Sequence, residues 1–97
     1  MIVVLSPAAE ADMEEAYDFL EQRRSGLGDE FAAQLEAGFH RIAEAPNRWP
    51  ELEPGFRRYR LAMFKYCIIY RVVVDRAEVV AVWHLARRPG SWRQNLG

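Results

Sequence analysis

The amino-acid sequence predicts an α+β domain with the order β-α-α-β-β-β, in which a helical hairpin packs on one face of an antiparallel sheet. Two apolar stripes with helical spacing lie close together in the first half of the chain. Three runs rich in aromatic and β-branched residues occupy the second half. The breaks between these runs are short, and short connections join antiparallel neighbours. These observations predict two adjacent helices and a C-terminal meander.

The chain has 97 residues and a mass of 11.3 kDa, which is the size of one domain. We expect a single domain over residues 1–97, divided into a helical hairpin (7–45), a C-terminal meander (56–85) and a tail (86–97). No apolar run is long enough for a transmembrane helix, and the run Met1–Leu5 is too short for a signal peptide. A cytoplasmic location without a membrane partner is therefore expected.

The first half of the chain predicts one strand and two helices. Ile2–Leu5 is a short apolar run typical of a strand, and Ser6 after it is a good helix N-cap because proline follows. The first apolar stripe predicts a helix over Pro7–Arg24, which Gly26 ends as a left-handed cap. The second stripe predicts a helix over Leu27–Ala45, which ends before the next proline. So short a link makes the two helices antiparallel.

The second half predicts a loop, three strands and an irregular tail. Asn47–Gly55 is rich in proline and is predicted to be a loop. The runs Phe56–Leu61, Tyr66–Val74 and Val79–Leu85 have the composition of strands. Ala86–Gly97 forms the tail. The short breaks between the three strands predict that each pairs with the next.

The turn at the last break determines which side chains share a face of the sheet. If Asp75 and Arg76 form that turn, Val74 lies opposite Ala77. The side chains on one face of the last two strands are then all apolar. We expect this set to lie under the helices: Ile68, Tyr70, Val72, Val74, Ala77, Val79, Ala81 and Trp83.

If Leu61 faces Tyr66 across the preceding turn, Arg60 lies beside Cys67 and Arg58 beside Ile69. The face away from the helices, called the outer face below, is then predicted to collect four basic or titratable side chains: Arg58, Arg60, Arg71 and His84. Valine and isoleucine side chains share that face, and together they are too apolar to stay bare. We therefore expect the tail or a partner segment to cover part of the outer face.

The charge is strongly polarised along the chain, although the net charge is only −1. Residues 1–50 carry 10 acids and four bases, whereas residues 51–97 carry nine bases and four acids. Such asymmetry predicts a binding face for an anionic partner. All bases except Lys65 are arginine, whose planar fork suits phosphates and carboxylates, although the codon bias of a GC-rich genome explains this preference equally well.

Candidate functional residues come mainly from the outer face. His84 beside Arg60 and Arg71 has the titration range of a proton carrier, and the alternative is a strand-end histidine with a satisfied hydrogen bond. The arginines, extended by Arg87 and Arg88, suit phosphates or a partner's carboxylates, and the alternative is a solvated face. Trp92 offers a stacking surface or an anchor that pins the tail, and we expect the anchor.

Neither a metal nor a cofactor is expected. Glu10, Glu14 and Asp18 recur on one helix face, but no histidine lies at ligand spacing from them, and there is no glycine-rich phosphate loop. Cys67 is the one cysteine, so an internal disulfide and a cysteine-built zinc site are excluded, and a packing role is expected.

Three segments together carry a resemblance that spans nearly the whole chain: VVLSPAAEADMEEAYDFLEQ, RSGLGDEF and GFRRYRLAMFKYCIIYRVVVDRAEVVAVWHLARRPGSW. They resemble the RelE/ParE superfamily of bacterial toxins from type II toxin–antitoxin systems. The resemblance implies a small cytoplasmic toxin that is neutralised by a cognate antitoxin, ParD-like or similar, whose C-terminal segment wraps the toxin. It also implies contact with operator DNA only through the antitoxin.

The superfamily divides by target. A RelE-like member cuts mRNA in the ribosome, and His84, Arg60 and Arg71 would then be the catalytic candidates. A ParE-like member binds and inhibits DNA gyrase, and no catalytic residue is then expected. The acidic hairpin and the ending LARRPGSW resemble the ParE-like branch more, and a non-toxic interaction module of the same fold is a further alternative. On either toxin reading, the residues expected to bind target or antitoxin are Arg58, Arg60, Arg71, His84, Arg87, Arg88 and Trp92.

Overall fold

The computed structural model describes residues 1–97 and has two α-helices, five β-strands and a C-terminal 3-10 helix. The predicted α+β class and the helical hairpin are confirmed, and both helices end within one residue of the predicted positions. In chain order the elements are β1 (Ile2–Leu5), α1 (Pro7–Arg23), α2 (Leu27–Glu44), β2 (Glu51–Glu53), β3 (Phe56–Arg60), β4 (Tyr66–Val73), β5 (Arg76–His84) and the 3-10 helix (Ser91–Leu96).

The helical hairpin is held by hydrogen bonds at both of its helix starts. The Ser6 side chain accepts a hydrogen bond from the backbone N–H of Ala9 at 3.1 Å and caps α1 as predicted. Gly26 has a φ of 90° and supplies the sharp link between the helices. The Glu21 carboxylate accepts hydrogen bonds from the N–H groups of Gly26 and Gly28, at 3.0 and 2.8 Å. A side chain of α1 therefore satisfies the free N–H groups at the start of α2.

The sheet is mixed and five-stranded, with the order β1-β5-β4-β3-β2. The prediction of a purely antiparallel sheet was wrong, because β1 pairs in parallel with β5, from Ile2 opposite Arg76 to Leu5 opposite Val79. This pairing joins segments far apart in sequence, so no local pattern indicates it. The predicted loop also contains a strand, since Glu51–Glu53 pairs with β3 through an irregular register.

The hairpin between β4 and β5 turns one residue earlier than predicted. Val73 lies opposite Arg76 and Val72 opposite Ala77, so Val74 belongs to the turn and adopts a positive φ of 49°. A β-branched residue rarely takes this left-handed conformation, which is why the sequence favours a later turn. β5 consequently begins at Arg76, three residues before the predicted start.

A β-bulge in β5 moves each later side chain of the strand to the face of the sheet opposite to the predicted one. Tyr70 lies opposite Val79, but Ile69 lies opposite Ala81, so Val80 is the extra residue. Val80 and Ala81 both pack in the outer-face cluster, and Val82 returns to the helix side. The predicted positions of Ala81 and Trp83 under the helices are therefore wrong, because both lie on the outer face.

Two apolar clusters lie on the two faces of the sheet. The larger cluster lies between the sheet and the helices, with Phe31, Leu35, Ile42, Ile68 and Tyr70 among its fully buried side chains. The smaller cluster lies on the outer face and contains Cys67, Ile69, Val80, Ala81, Trp83 and Trp92. The tail thus contributes a core residue of its own.

Replacing Val74 tests the strained turn. Val74 is 93% exposed, so Val74→Asn loses almost no packing and gains a residue that tolerates a positive φ. We expect the free energy of unfolding to rise by about 1 kcal/mol, measured by chemical denaturation. Val74→Ile, which keeps the β-branch, should leave the stability unchanged. A lower stability for the asparagine variant would contradict this prediction.

Candidate functional site

Three arginines share the outer face, as the register of β3 and β4 predicts. Arg58 lies opposite Ile69, Arg60 lies opposite Cys67, and Ile69 and Cys67 belong to the outer-face cluster. Arg71 is on the same face of β4, because it follows Ile69 by two residues. The placement of these side chains is confirmed, and their role in binding stays a prediction.

Arg71 differs from the other two arginines because its charge is compensated. Its Nε and Nη2 atoms donate to Oε1 of Glu78, the residue opposite on β5, at 2.8 and 2.7 Å. No carboxylate lies within ion-pair distance of Arg58 or Arg60. An incoming anion therefore finds uncompensated guanidinium groups on β3 rather than on β4.

The tail covers the apolar part of the outer face. Trp92 is 3% exposed, and its ring centroid lies 5.0 Å from that of Phe56. The Trp83 indole N–H donates to the Ser91 hydroxyl at 2.9 Å, and this hydroxyl donates to the carbonyl of Arg88 at 2.7 Å. The tail is therefore one cover of this face, as expected. Trp92 acts as its anchor, so its indole faces are already occupied.

The tail also closes the free edge of β5 beyond the end of β1. The Asp12 Oδ2 atom of α1 accepts hydrogen bonds from the Val82 N–H at 3.1 Å and from the Asn95 amide at 2.8 Å. The same Asn95 nitrogen donates to the carbonyl of Val80 at 3.0 Å. Burial raises the pKa of Asp12 above its usual value, while these hydrogen bonds oppose the rise. Nothing in the sequence indicates this link, because Asp12 and Asn95 belong to opposite ends of the chain.

A concave surface, called the basic groove below, lies between the tail and strands β3 and β4. It has a volume of about 370 Å³, and Arg58, Arg87 and Arg88 are among its lining residues, with Cys67 and Trp83 beneath them. The Arg87 guanidinium carbon lies 3.6 Å from the centroid of the Trp83 ring, which is a close cation–π contact. Neither Arg87 nor Arg88 has a carboxylate within ion-pair distance.

One carboxylate borders the basic groove, and it is already engaged. Glu53 forms an ion pair with Arg93, another residue of the tail. The charge of Arg93 is thereby compensated, and the remaining arginines of the groove keep theirs. The groove therefore presents a net positive surface to solvent.

The His84 side chain does not share the outer face with Arg60 and Arg71, contrary to the prediction. The bulge places it opposite Tyr66, and the two rings meet edge to face at 4.8 Å, on the helix side of the sheet. Its Nδ1 atom accepts a hydrogen bond from the N–H of Ala86 at 3.0 Å, so a neutral ring carries its proton on Nε2. His84 ends β5 and borders the basic groove, but its imidazole is turned away from Arg60 and Arg71.

The remaining candidates have structural surroundings. Cys67 is 3% exposed, burial raises the pKa of its thiol to about 11, and the thiol donates to the carbonyl of Trp83 at 3.5 Å. A thiol in this state is protonated at neutral pH, which suits packing rather than nucleophilic chemistry. No three His, Cys, Asp or Glu side chains are grouped so as to hold a metal ion. Neither helix has the length and apolarity that a membrane span requires.

The link through Asp12 predicts a pH dependence of stability. Because the folded-state pKa is raised, protonation of Asp12 favours the folded chain, and this contribution is lost as the pH rises from 3.8 through the raised pKa. Asp12→Asn cannot ionise and keeps an acceptor oxygen for Val82 and Asn95. We expect the free energy of unfolding of the wild type, minus that of Asp12→Asn, to fall as the pH rises from 3.8 through the raised pKa. Urea denaturation at each pH measures both values. A relative stability that grows with pH would contradict the prediction.

The fold and the site allow a comparison with known proteins. Residues 3–89 match the sequence model of a family described as the ParE toxin of the type II toxin–antitoxin system, parDE. No curated protein sequence matches the chain.

Among solved structures, one described as the chromosomal ParDE toxin–antitoxin system from P. aeruginosa has a similar fold. The TM-score is 0.79 at 16% sequence identity, and the similarity covers 88% of this chain and 96% of that chain. At this identity the likeness shows the fold, and the family match is independent of it.

Proposed function

The chain belongs to the ParE toxin family of type II toxin–antitoxin systems, and from this premise we propose that it inhibits DNA gyrase by binding and that a cognate antitoxin neutralises it. The family match covers residues 3–89 and therefore includes both helices and all of the sheet except Ile2. Membership in a toxin–antitoxin family implies an antitoxin partner. We propose that this partner is ParD-like, that it alone contacts operator DNA, and that the toxin acts in the cytoplasm.

The observation that carries inhibition by binding is the separation of His84 from Arg60 and Arg71, the two arginines that a nuclease mechanism would combine with it. A RelE-like cleavage of mRNA needs a base for the 2′-hydroxyl and cations for the phosphate within reach of one another. Here the bulge turns His84 towards Tyr66, and Glu78 compensates the charge of Arg71. Arg60 therefore has neither His84 as a nearby base nor Arg71 as a second free cation for cleavage.

A binding mechanism needs only a complementary surface. The uncompensated arginines of β3 and of the tail provide a charged one, next to aromatic side chains. Arginine is one of the residue types that most often dominate the energy of protein interfaces. The basic groove thus supports a binding inhibitor better than a nuclease.

Expression of the toxin in growing cells tests the proposed function. We expect growth arrest with DNA damage, and loss of supercoiling when purified toxin is added to purified gyrase. Addition of the cognate antitoxin should restore supercoiling. Cleaved transcripts with intact DNA would instead favour the RelE-like alternative, and unimpaired growth would favour the non-toxic module.

His84→Asn separates the two toxin mechanisms. An asparagine oxygen can occupy the position of Nδ1 and keep the hydrogen bond from Ala86, but it cannot transfer a proton at neutral pH. We expect the variant to arrest growth as the wild type does, measured as the colony count after induction. A loss of toxicity of about a hundredfold or more, in a variant that is still folded and still binds gyrase, would point to proton transfer by His84.

A further inference from the structure

The basic groove has uncompensated charge and a concave shape in the same place. Arg58, Arg87 and Arg88 line it without a carboxylate partner, and the bordering carboxylate of Glu53 is paired with Arg93. Burying such groups against a ligand is favourable only if the ligand supplies anionic acceptors. These uncompensated charges suit an anionic ligand.

The lining of the groove restricts the ligand further. Between the arginines lie apolar side chains, including Leu52, Leu85 and Pro89, above the buried rings of Trp83 and Trp92. A ligand that fills about 370 Å³ of this concavity has to place an apolar group on these residues and its anionic groups beside the guanidinium groups. A peptide that mixes carboxylates with apolar side chains has both features.

Nucleic acid fits the groove less well. A duplex is convex and presents phosphates and sugars to a protein surface, so it has nothing to insert into an apolar concavity. Stacking of a single-stranded base is also disfavoured, because the Arg87 guanidinium already lies 3.6 Å from the Trp83 ring centroid and Trp92 is buried. The first half of the chain is acidic and would repel a long polyanion.

We propose that the basic groove binds an acidic peptide segment of the target protein, an inference that rests on the proposed inhibition by binding. Inhibition by binding requires a surface that contacts the target, and the groove combines uncompensated arginines, a residue type common at interface centres, with apolar side chains. The acidic segment places its carboxylates on Arg58 and Arg88 and an apolar side chain beside Pro89. Arg60, on the same strand and face as Arg58, extends the positive surface.

Charge reversal in the groove tests this inference. The groove variant Arg58→Glu/Arg88→Glu is compared with Arg24→Glu/Arg48→Glu, which changes the net charge equally at exposed positions outside the groove. We expect the toxin concentration that halves gyrase supercoiling to rise about tenfold or more for the groove variant and to stay within about threefold for the control. Circular dichroism verifies the folding of both variants, and Arg88→Ala is the milder substitution if the double variant does not fold.

Binding measurements identify the occupant of the groove. Labelled toxin should bind gyrase without DNA, more weakly as salt rises, and the groove variant should lose this binding while it still binds the antitoxin. Three results would overturn the inference. The groove variant could lose antitoxin binding while it still inhibits gyrase, the toxin could bind gyrase only when gyrase carries DNA, or the groove could mediate association between two copies of the toxin.

The two proposals can fail separately. A wild-type toxin that leaves gyrase fully active contradicts the proposed function. A wild-type toxin that inhibits gyrase, together with a folded groove variant that inhibits it equally, contradicts only the role of the groove.

Discussion

The bulge at Val80 determines how the sheet divides its side chains between a core and a functional surface. One extra residue lets Val80 and Ala81 both face outward and returns Val82 to the helix side. The bulge lies where β5 loses β1 as a neighbour, and a free strand edge leaves backbone groups unpaired. Asp12 from α1 and Asn95 from the tail bind these groups, so two distant parts of the chain stabilise the irregular register.

The outer face depends on this arrangement. The bulge turns Val80, Ala81 and Trp83 towards the outer face, and Trp92 of the tail covers the apolar surface that they form. Covering it brings the arginines of the tail beside those of β3, and this juxtaposition creates the basic groove. The same register places Glu78 opposite Arg71 and His84 opposite Tyr66. Strand pairing therefore determines that Arg71 has a carboxylate partner whereas Arg58 and Arg60 have none.

Local signals in the sequence predict the helices and the β3–β4 register. The features that the sequence does not predict depend on contacts between residues far apart in the chain. The Ser6-Pro7 pair indicates the start of α1 because capping depends on adjacent residues. Glu51–Glu53 contains two glutamates and lacks β-formers, and it becomes a strand only because β3 lies beside it. The run Val79–Val82 is apolar at every position, so its pattern does not show which side chains point towards the helices. Such a pattern cannot indicate a bulge. The arginines of the site were predicted together, whereas Asp12 and Asn95 gave no signal, because their roles arise from packing.

Nuclear Overhauser contacts between β4 and β5 test the register most directly. Leu85 donates its N–H to the carbonyl of Lys65, so the next pair along, Tyr66 and His84, does not exchange hydrogen bonds and has closely spaced Hα protons. We expect strong Hα–Hα contacts between Tyr66 and His84 and between Ile68 and Val82. Contacts that pair Ile68 with Trp83 instead would return His84 to the arginines and contradict the separation on which the proposed binding mechanism rests.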